Sequence, residues 1–160
     1  MTGTASLTIR HAENRIWGRH VFLEASGDPE AIRDAYAREA PSWPRRHFAL
    51  VEPTPEALDP WYRLGFAQMH AYGERESGAE RSQASGIAAT MNLASTAVLP
   101  EEQGHGVGRA LTSHALAFAR ESGYANAATN WRVTNLVASR FWPALGFRVT
   151  KLRLTRELPQ

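Results

Sequence analysis

The order of apolar and polar positions predicts alternating strands and helices along most of the chain. His20 to Ala25 reads as a strand. Asp28-Pro29 then supplies an N-cap and an N1 proline, opening a helix to about Ala40 that Pro41-Ser42-Trp43-Pro44 ends. His47 to Glu52 is the next strand. Thr54-Pro55 repeats the cap-and-proline start for a short helix through Leu64, which Gly65 closes, and Gln68 to Arg75 is again a strand. Residues 1 to 19 are polar and mixed, an edge strand or a ragged start. The polar stretch Glu74 to Gly86 reads as a linker or mobile loop. Beyond it, Leu93 to Leu99 predicts a strand. A helix from about Gly106 to Ser122 follows, with Val107, Leu111, Ala115 and Phe118 on one face and Gly123 as its stop. A strand at 127–132, a helix capped by Thr134 and running to Leu145, and a strand from Phe147 to Leu158 complete the series.

The second half thus repeats the element order of the first. Trp61, Leu64, Gly65, Phe66, Arg75 and Glu76 match Trp142, Leu145, Gly146, Phe147, Arg156 and Glu157, every pair 81 positions apart, as 142 is from 61. This spacing reads as an internal duplication of a strand-helix-strand-helix-strand unit. Coincidence at a common helix-Gly-Phe-strand ending is the competing explanation. The expected fold is α/β, a mixed sheet flanked by helices and built from two βαβαβ half-repeats. Residues 1–76 form a degenerate half, 77–86 a linker or loop and 87–160 the functional half, with both halves in one compact domain.

Composition narrows the class. At 160 residues, 43% hydrophobic and 21% charged, the chain suits a soluble domain with a proper core. No run approaches the ~18 apolar residues of a membrane span. The start, Met1-Thr2-Gly3-Thr4-Ala5, lacks the apolar core of a signal peptide, so a cytoplasmic protein without a membrane partner is expected. The absence of cysteine excludes disulfides and thiolate metal sites, and no metal is expected. The net charge is +2, with Lys151 the single lysine. The arginines suit either a polyanionic ligand or an ordinary solvated surface. No interleaving of aromatic and basic residues argues for nucleic acid.

The candidate chemistry lies in Pro100-Glu101-Glu102-Gln103-Gly104-His105-Gly106-Val107-Gly108-Arg109. Glycines at alternate positions admit close approach of a ligand and positive φ. The amides here stand at a predicted helix N-terminus, where free N–H groups and the macrodipole favour an anion. The residue-level reading is a phosphate or pyrophosphate cradle, against a flexible glycine turn that only caps a helix. A dinucleotide fingerprint starting at Gly104 would need glycine where Arg109 stands, and Gly108-Arg109-Ala110 lacks the ending of a P-loop. Gln103-Gly104-His105-Gly106-Val107-Gly108, after Val98-Leu99-Pro100, instead fits Q/R-x-x-G-x-G/A. This resembles the acyl-CoA loop of the GCN5-related N-acetyltransferases, the GNAT family. Asn135-Leu136-Val137-Ala138 and Trp142-Pro143-Ala144-Leu145-Gly146-Phe147 resemble the family's second signature, N-x-x-A followed by Y-x-x-x-G-F. The resemblance covers about residues 87 to 157.

The resemblance implies an acyl-CoA N-acyltransferase fold and acetyl-CoA as acyl donor. It also implies an amine acceptor, on a small molecule or peptide. Gln103, Gly104, His105, Gly106, Val107, Gly108 and Arg109 would hold the pyrophosphate, the backbone of Ala97 and Val98 would pair with the pantetheine amides, and Asn135 would match the family asparagine and cap its helix. The first half carries Ser26-Gly27-Asp28-Pro29 in place of the glycine loop, so only the second half is expected to bind CoA. Catalytic groups are less evident. No carboxylate stands between Ile87 and Val98, where family members often carry a glutamate. Glu101 and Glu102 are the nearest acids, His105 points outward between glycines, and the family's proton-donating tyrosine maps onto Trp142, whose indole cannot deliver a proton at neutral pH. Thr129, Asn130, Trp131 and Arg132, at a strand's carboxyl end, are further candidates. Pro143 would free a carbonyl near Ser139. Two functions stand open: an acetyl-CoA-dependent N-acetyltransferase, or a catalytically weak CoA-binding or regulatory module. The half-repeat organisation also allows a homodimer with exchanged strands.

Overall fold

A computed structural model describes residues 4–78 and 90–159. Most of the expected linker, 79–86, lies outside the described residues. The chain forms β1 (Ala5–Asn14), β2 (Gly18–Gly27), α1 (Pro29–Glu39), β3 (Arg46–Val51), α2 (Pro55–Arg63) and β4 (Ala67–Glu76). It continues with β5 (Thr90–Leu93), α3 (Val107–Glu121), β6 (Asn126–Arg132), α4 (Leu136–Ala144) and β7 (Arg148–Glu157). The strands make a mixed seven-stranded sheet in the order β1-β2-β3-β7-β4-β6-β5. No described helix is long and apolar enough to cross a membrane.

Two compact units emerge, residues 1–71 with 151–160, and residues 72–150. In the first, β1 and β2 form an antiparallel ladder from Ala5↔Gly27 to Asn14↔Gly18. Parallel β2–β3 pairing follows, and β3 then pairs antiparallel with β7 from Arg46↔Glu157 to Val51↔Leu152. Its core is Val21, Leu23, Ile32, Tyr36, Phe48, Trp61 and Phe66. The expected caps hold: Asp28 accepts from the Ala31 amide at 3.0 Å and Thr54 Oγ1 from the Ala57 amide at 3.3 Å. One buried polar pair sits in this core. Tyr36 donates its hydroxyl to His47 Nδ1 at 2.5 Å while His47 Nε2 donates to the Pro44 carbonyl at 2.7 Å. Burial holds the His47 imidazole below its usual range and pushes the Tyr36 phenol up.

The second unit packs Ala119, Ala127, Trp131, Trp142 and Phe147. Trp131 lies so close to Gly73 that a Cβ there would stand 2.8 Å from its ring. Three boundaries and faces differ from the sequence reading. The strand expected at Leu93 to Leu99 ends at Leu93. β5 pairs in parallel with β6 only as far as Leu93↔Thr129, where Thr129 Oγ1 donates to the Leu93 carbonyl at 3.1 Å. A strand needs a neighbour, and β6 runs on to Arg132 while residues 94–99 leave the ladder. The packed side of α3 is Gly108, Thr112, Ala115, Leu116 and Ala119, not the Leu111/Phe118 face, whose two side chains are 51% and 56% exposed. Small side chains on the packed side permit close approach, and Thr112 satisfies its hydroxyl on the Gly108 carbonyl at 2.9 Å. Finally, Asn135 rather than Thr134 caps α4, accepting from the Ala138 amide at 3.0 Å.

The two helix-to-strand turns have matching geometry. In one, Gly65 (φ +81°) donates to the Tyr62 carbonyl at 2.9 Å and Phe66 to Trp61 at 3.0 Å. In the other, Gly146 (φ +84°) donates to Pro143 at 2.9 Å and Phe147 to Trp142 at 3.2 Å. Glycine is required at both, because the left-handed conformation costs other residues roughly 1–2 kcal/mol. Arg75 donates to the Leu145 carbonyl beside Gly146, and Arg156 lies against Gly65. Both ends of β4 and β7 are likewise 81 residues apart.

Candidate active site

The site grows from the segment that leaves the β5–β6 ladder. After Leu99, Pro100–Glu102 makes one 3-10 turn. Gln103 Nε2 donates back to the Val98 carbonyl at 3.2 Å, tying the loop to that segment. Gly104 (φ +83°) and Gly106 (φ +86°) both adopt the left-handed conformation, and Gly106 is the N-cap of α3. The first helical bond runs from the Ala110 amide to the Gly106 carbonyl at 2.9 Å. The amides of Val107, Gly108 and Arg109 therefore precede any intrahelical acceptor and present N–H groups and the positive end of the dipole.

Space above these amides is open. A Cβ at Gly104 or Gly106 would meet nothing within 4 Å. Gly108 is small for another reason: its φ is not positive, and a Cβ there would lie 3.4 Å from the Phe141 ring and 3.6 Å from Val98 Cγ2. The third glycine thus serves the approach of α3 to α4, and only the first two serve the turn.

A cavity of about 610 Å³ opens here. Ala97, Val98, Gln103, Gly104, Gly106, Val107, Gly108, Arg109 and Asn135 line it, together with Glu102 and Trp142. His105 and Glu101 are exposed and outside the lining. Thr129 to Arg132 do not reach it either: the Thr129 hydroxyl is engaged by Leu93, and Trp131 is buried beside Gly73. Thr96, Val137, Ala138 and Phe141 line the cavity although the sequence reading did not assign them to a site. The signal for three of them was available, since residues on α4 at i, i+1 and i+4 from Val137 share one side. Trp142 is buried and packs edge-on against Phe141 and Phe147 at centroid distances of 5.0 and 5.2 Å. Among the described residues no group of acidic, histidine or cysteine side chains could hold a metal ion.

The model of the acetyltransferase (GNAT) domain matches residues 57–149. The chain belongs to the GNAT family. No curated protein matches it. The matched span includes the whole cavity lining, and the mixed sheet with its four helices is a GNAT acyl-CoA N-acyltransferase fold. Family membership makes the GNAT chain an acetyltransferase in general terms, in a family whose domains generally use acetyl-CoA.

In chemical terms the site joins an anion-favouring helix N-terminus to an apolar slot. Val98, Val137, Phe141 and Trp142 wall the slot, and Val137 remains largely exposed at its rim. Ala97 and Val98, out of the sheet, border the same space. Glu102 is the single carboxylate in the lining.

Proposed function

We propose that the GNAT chain transfers the acetyl group of acetyl-CoA to an amine of a small molecule or peptide. The observation that carries this is the open left-handed turn at Gly104 and Gly106 beneath unpaired helix amides, leading into an apolar slot. The amides of Val107, Gly108 and Arg109 would hold the pyrophosphate, with the Arg109 guanidinium beside them. The Ala97 and Val98 backbone would receive the pantetheine amides as a neighbouring strand would. Asn135 would hold α4 in place through its cap.

The bound donor supplies an activated thioester. The C–N bond forms as the C–S bond breaks, and the ammonium proton passes to the thiolate or to water. This chain's own contribution is positioning, which can remove several kcal/mol of the barrier. A lysine-like amine at pKa ~10.4 costs roughly 4.6 kcal/mol to deprotonate at pH 7. Glu102, at the edge of the lining, is the carboxylate available to accept that proton. Trp142 shapes the slot and can donate only a hydrogen bond.

The same proposal takes residues 1–76 and 87–160 as half-repeats, the first without a CoA loop. The 81-residue spacing of the two helix-to-strand turns supports it. A second reading, a CoA-binding module with weak or no catalysis, draws on the single exposed carboxylate and the indole at position 142. Thiol release from acetyl-CoA, followed across alkyl, aryl and peptide N-terminal amines, separates the two. Amine-dependent release supports the transferase. Bound acetyl-CoA with no amine-dependent release supports the module instead.

A further inference from the structure

Two strands do not stay with the helices that precede them in the chain. β4 follows α2, yet from Tyr72 onward it belongs to the second unit, and β7 follows α4, yet from Lys151 onward it belongs to the first. Each carries an arginine into the unit that it joins. Arg75 of β4 donates to the Leu145 carbonyl, and its guanidinium and δ-carbon lie 3.6–3.7 Å from where a Cβ on Gly146 would stand. Arg156 of β7, 81 residues later, lies at the equivalent place against Gly65 and reaches over the Tyr36 ring, 5.5 Å from its centroid.

Of these two places, the one at Leu145 adjoins the walls of the candidate active site. α4 supplies Val137, Ala138, Phe141 and Trp142 to the cavity. It is nine residues long and contains Pro143, which has no N–H to give the Ser139 carbonyl. Isolated helices this short are marginal in water, so the position of α4 depends on what holds its ends. Asn135 holds the start, accepting from the Ala138 amide at 3.0 Å. Leu145 holds the end. Its N–H donates to the Phe141 and Trp142 carbonyls at 3.2 and 3.1 Å, and its own carbonyl accepts from Arg75. A cation is favoured there, at the negative end of the helix dipole. Arg75 itself is half-buried and outside the cavity lining.

We propose that Arg75 is a positioning residue for the acyl-CoA site. Through Leu145 it fixes the last turn of α4, and with that turn the Phe141 and Trp142 walls of the slot. The proposal rests on the acyl-CoA reading of that cavity. It gives β4, which carries none of the glycine loop, a part in the site. Arg156 is the internal control, because α2, whose end it lies against, supplies nothing to that cavity.

The test measures the Kd of acetyl-CoA for the full chain by calorimetry, well below the unfolding midpoint, which is recorded for every variant. At such temperatures a loss of overall stability leaves Kd unchanged, whereas a displaced wall does not. Arg75→Met keeps an aliphatic stem and removes the donor. It should weaken binding about tenfold, the equivalent of one hydrogen bond from a charged donor. Arg75→Gln, uncharged and shorter, is the second variant should the methionine chain not fold, and the same loss is expected of it. Arg75→Lys restores the charge and a donor and should bind within about threefold of the parent chain. Arg156→Met should lower the unfolding midpoint yet bind within about twofold, as independent sites do. Parent-like affinity in the methionine and glutamine variants of Arg75, no recovery in Arg75→Lys, or an equal loss in Arg156→Met would each overturn the proposal. A parent chain that does not bind acetyl-CoA would instead remove the acyl-CoA reading, and this proposal with it.

Discussion

Replacing Gly106 separates the two things that the residue does. Its φ of +86° is left-handed, so any side chain costs roughly 1–2 kcal/mol in the backbone, although asparagine tolerates this conformation better than most. Nothing within 4 Å obstructs a new Cβ, so collision adds no further cost. Gly106→Asn and Gly106→Asp therefore share the backbone cost and nearly the same shape, and differ by one charge. That charge would stand beside a pyrophosphate. Two unit charges 4 Å apart interact by about 1 kcal/mol in water and about 4 kcal/mol near a protein surface. The aspartate variant should thus bind CoA roughly fivefold to a thousandfold more weakly than the asparagine variant, with equal unfolding midpoints. Calorimetric titration of CoA into both measures the difference. Equal affinities would refute the assignment of these amides to the phosphates, whatever either variant does relative to the parent chain.

Three further outcomes follow from the packing. Asn135→Ala removes the cap on the Ala138 amide and should cost about 0.5–2 kcal/mol in urea unfolding; no loss would show the cap to be replaceable by solvent. Gly73→Ala forces a methyl against the Trp131 ring and should destabilise by about 1–3 kcal/mol, with a shifted Trp131 fluorescence; a neutral substitution would mean that the ring moves freely. His47 is held below its usual pKa by burial, so the unfolded chain binds its proton more readily than the folded one. Its contribution is complete above pH ~6.5 and is lost as pH falls from there towards the folded value, above the range in which the exposed Glu157 pair with Arg46 titrates. The stability gap between the parent chain and His47→Gln should accordingly narrow from pH 7.5 to 5.5, and a constant gap would contradict this.

Local signals were legible in the sequence because they act within a few residues. Asp28 and Thr54 announce helix starts through their own side chains, and Gly65, Gly123 and Gly146 announce ends through their φ. The loop from Gln103 to Arg109 was legible for the same reason. Non-local choices were not. Leu93 ends β5 because β6 parts from it, which no residue between Ala94 and Leu99 encodes by itself. The side of α3 that packs was hidden because Leu111 and Phe118 are more apolar than Thr112, yet small residues allow the closer approach. That β7 lies between β3 and β4 depends on which strand finds which neighbour, and the repeated turn sequences are compatible with either partner. In the site, Phe141 was missed because an aromatic on a short helix reads as core until the space beside Gly108 is seen.

The most direct test of the central claim is the unfolding midpoint of the parent chain with acetyl-CoA, beside an equal concentration of NADH. At about 100 times its Kd a bound ligand stabilises by roughly 2.7 kcal/mol, which for this chain length is about 5–10 °C. A rise of that size with acetyl-CoA and none with NADH is the result expected from the open turn at Gly104 and Gly106. No rise with acetyl-CoA, or an equal rise with NADH, would contradict the acyl-CoA assignment and leave the glycine loop as a structural turn.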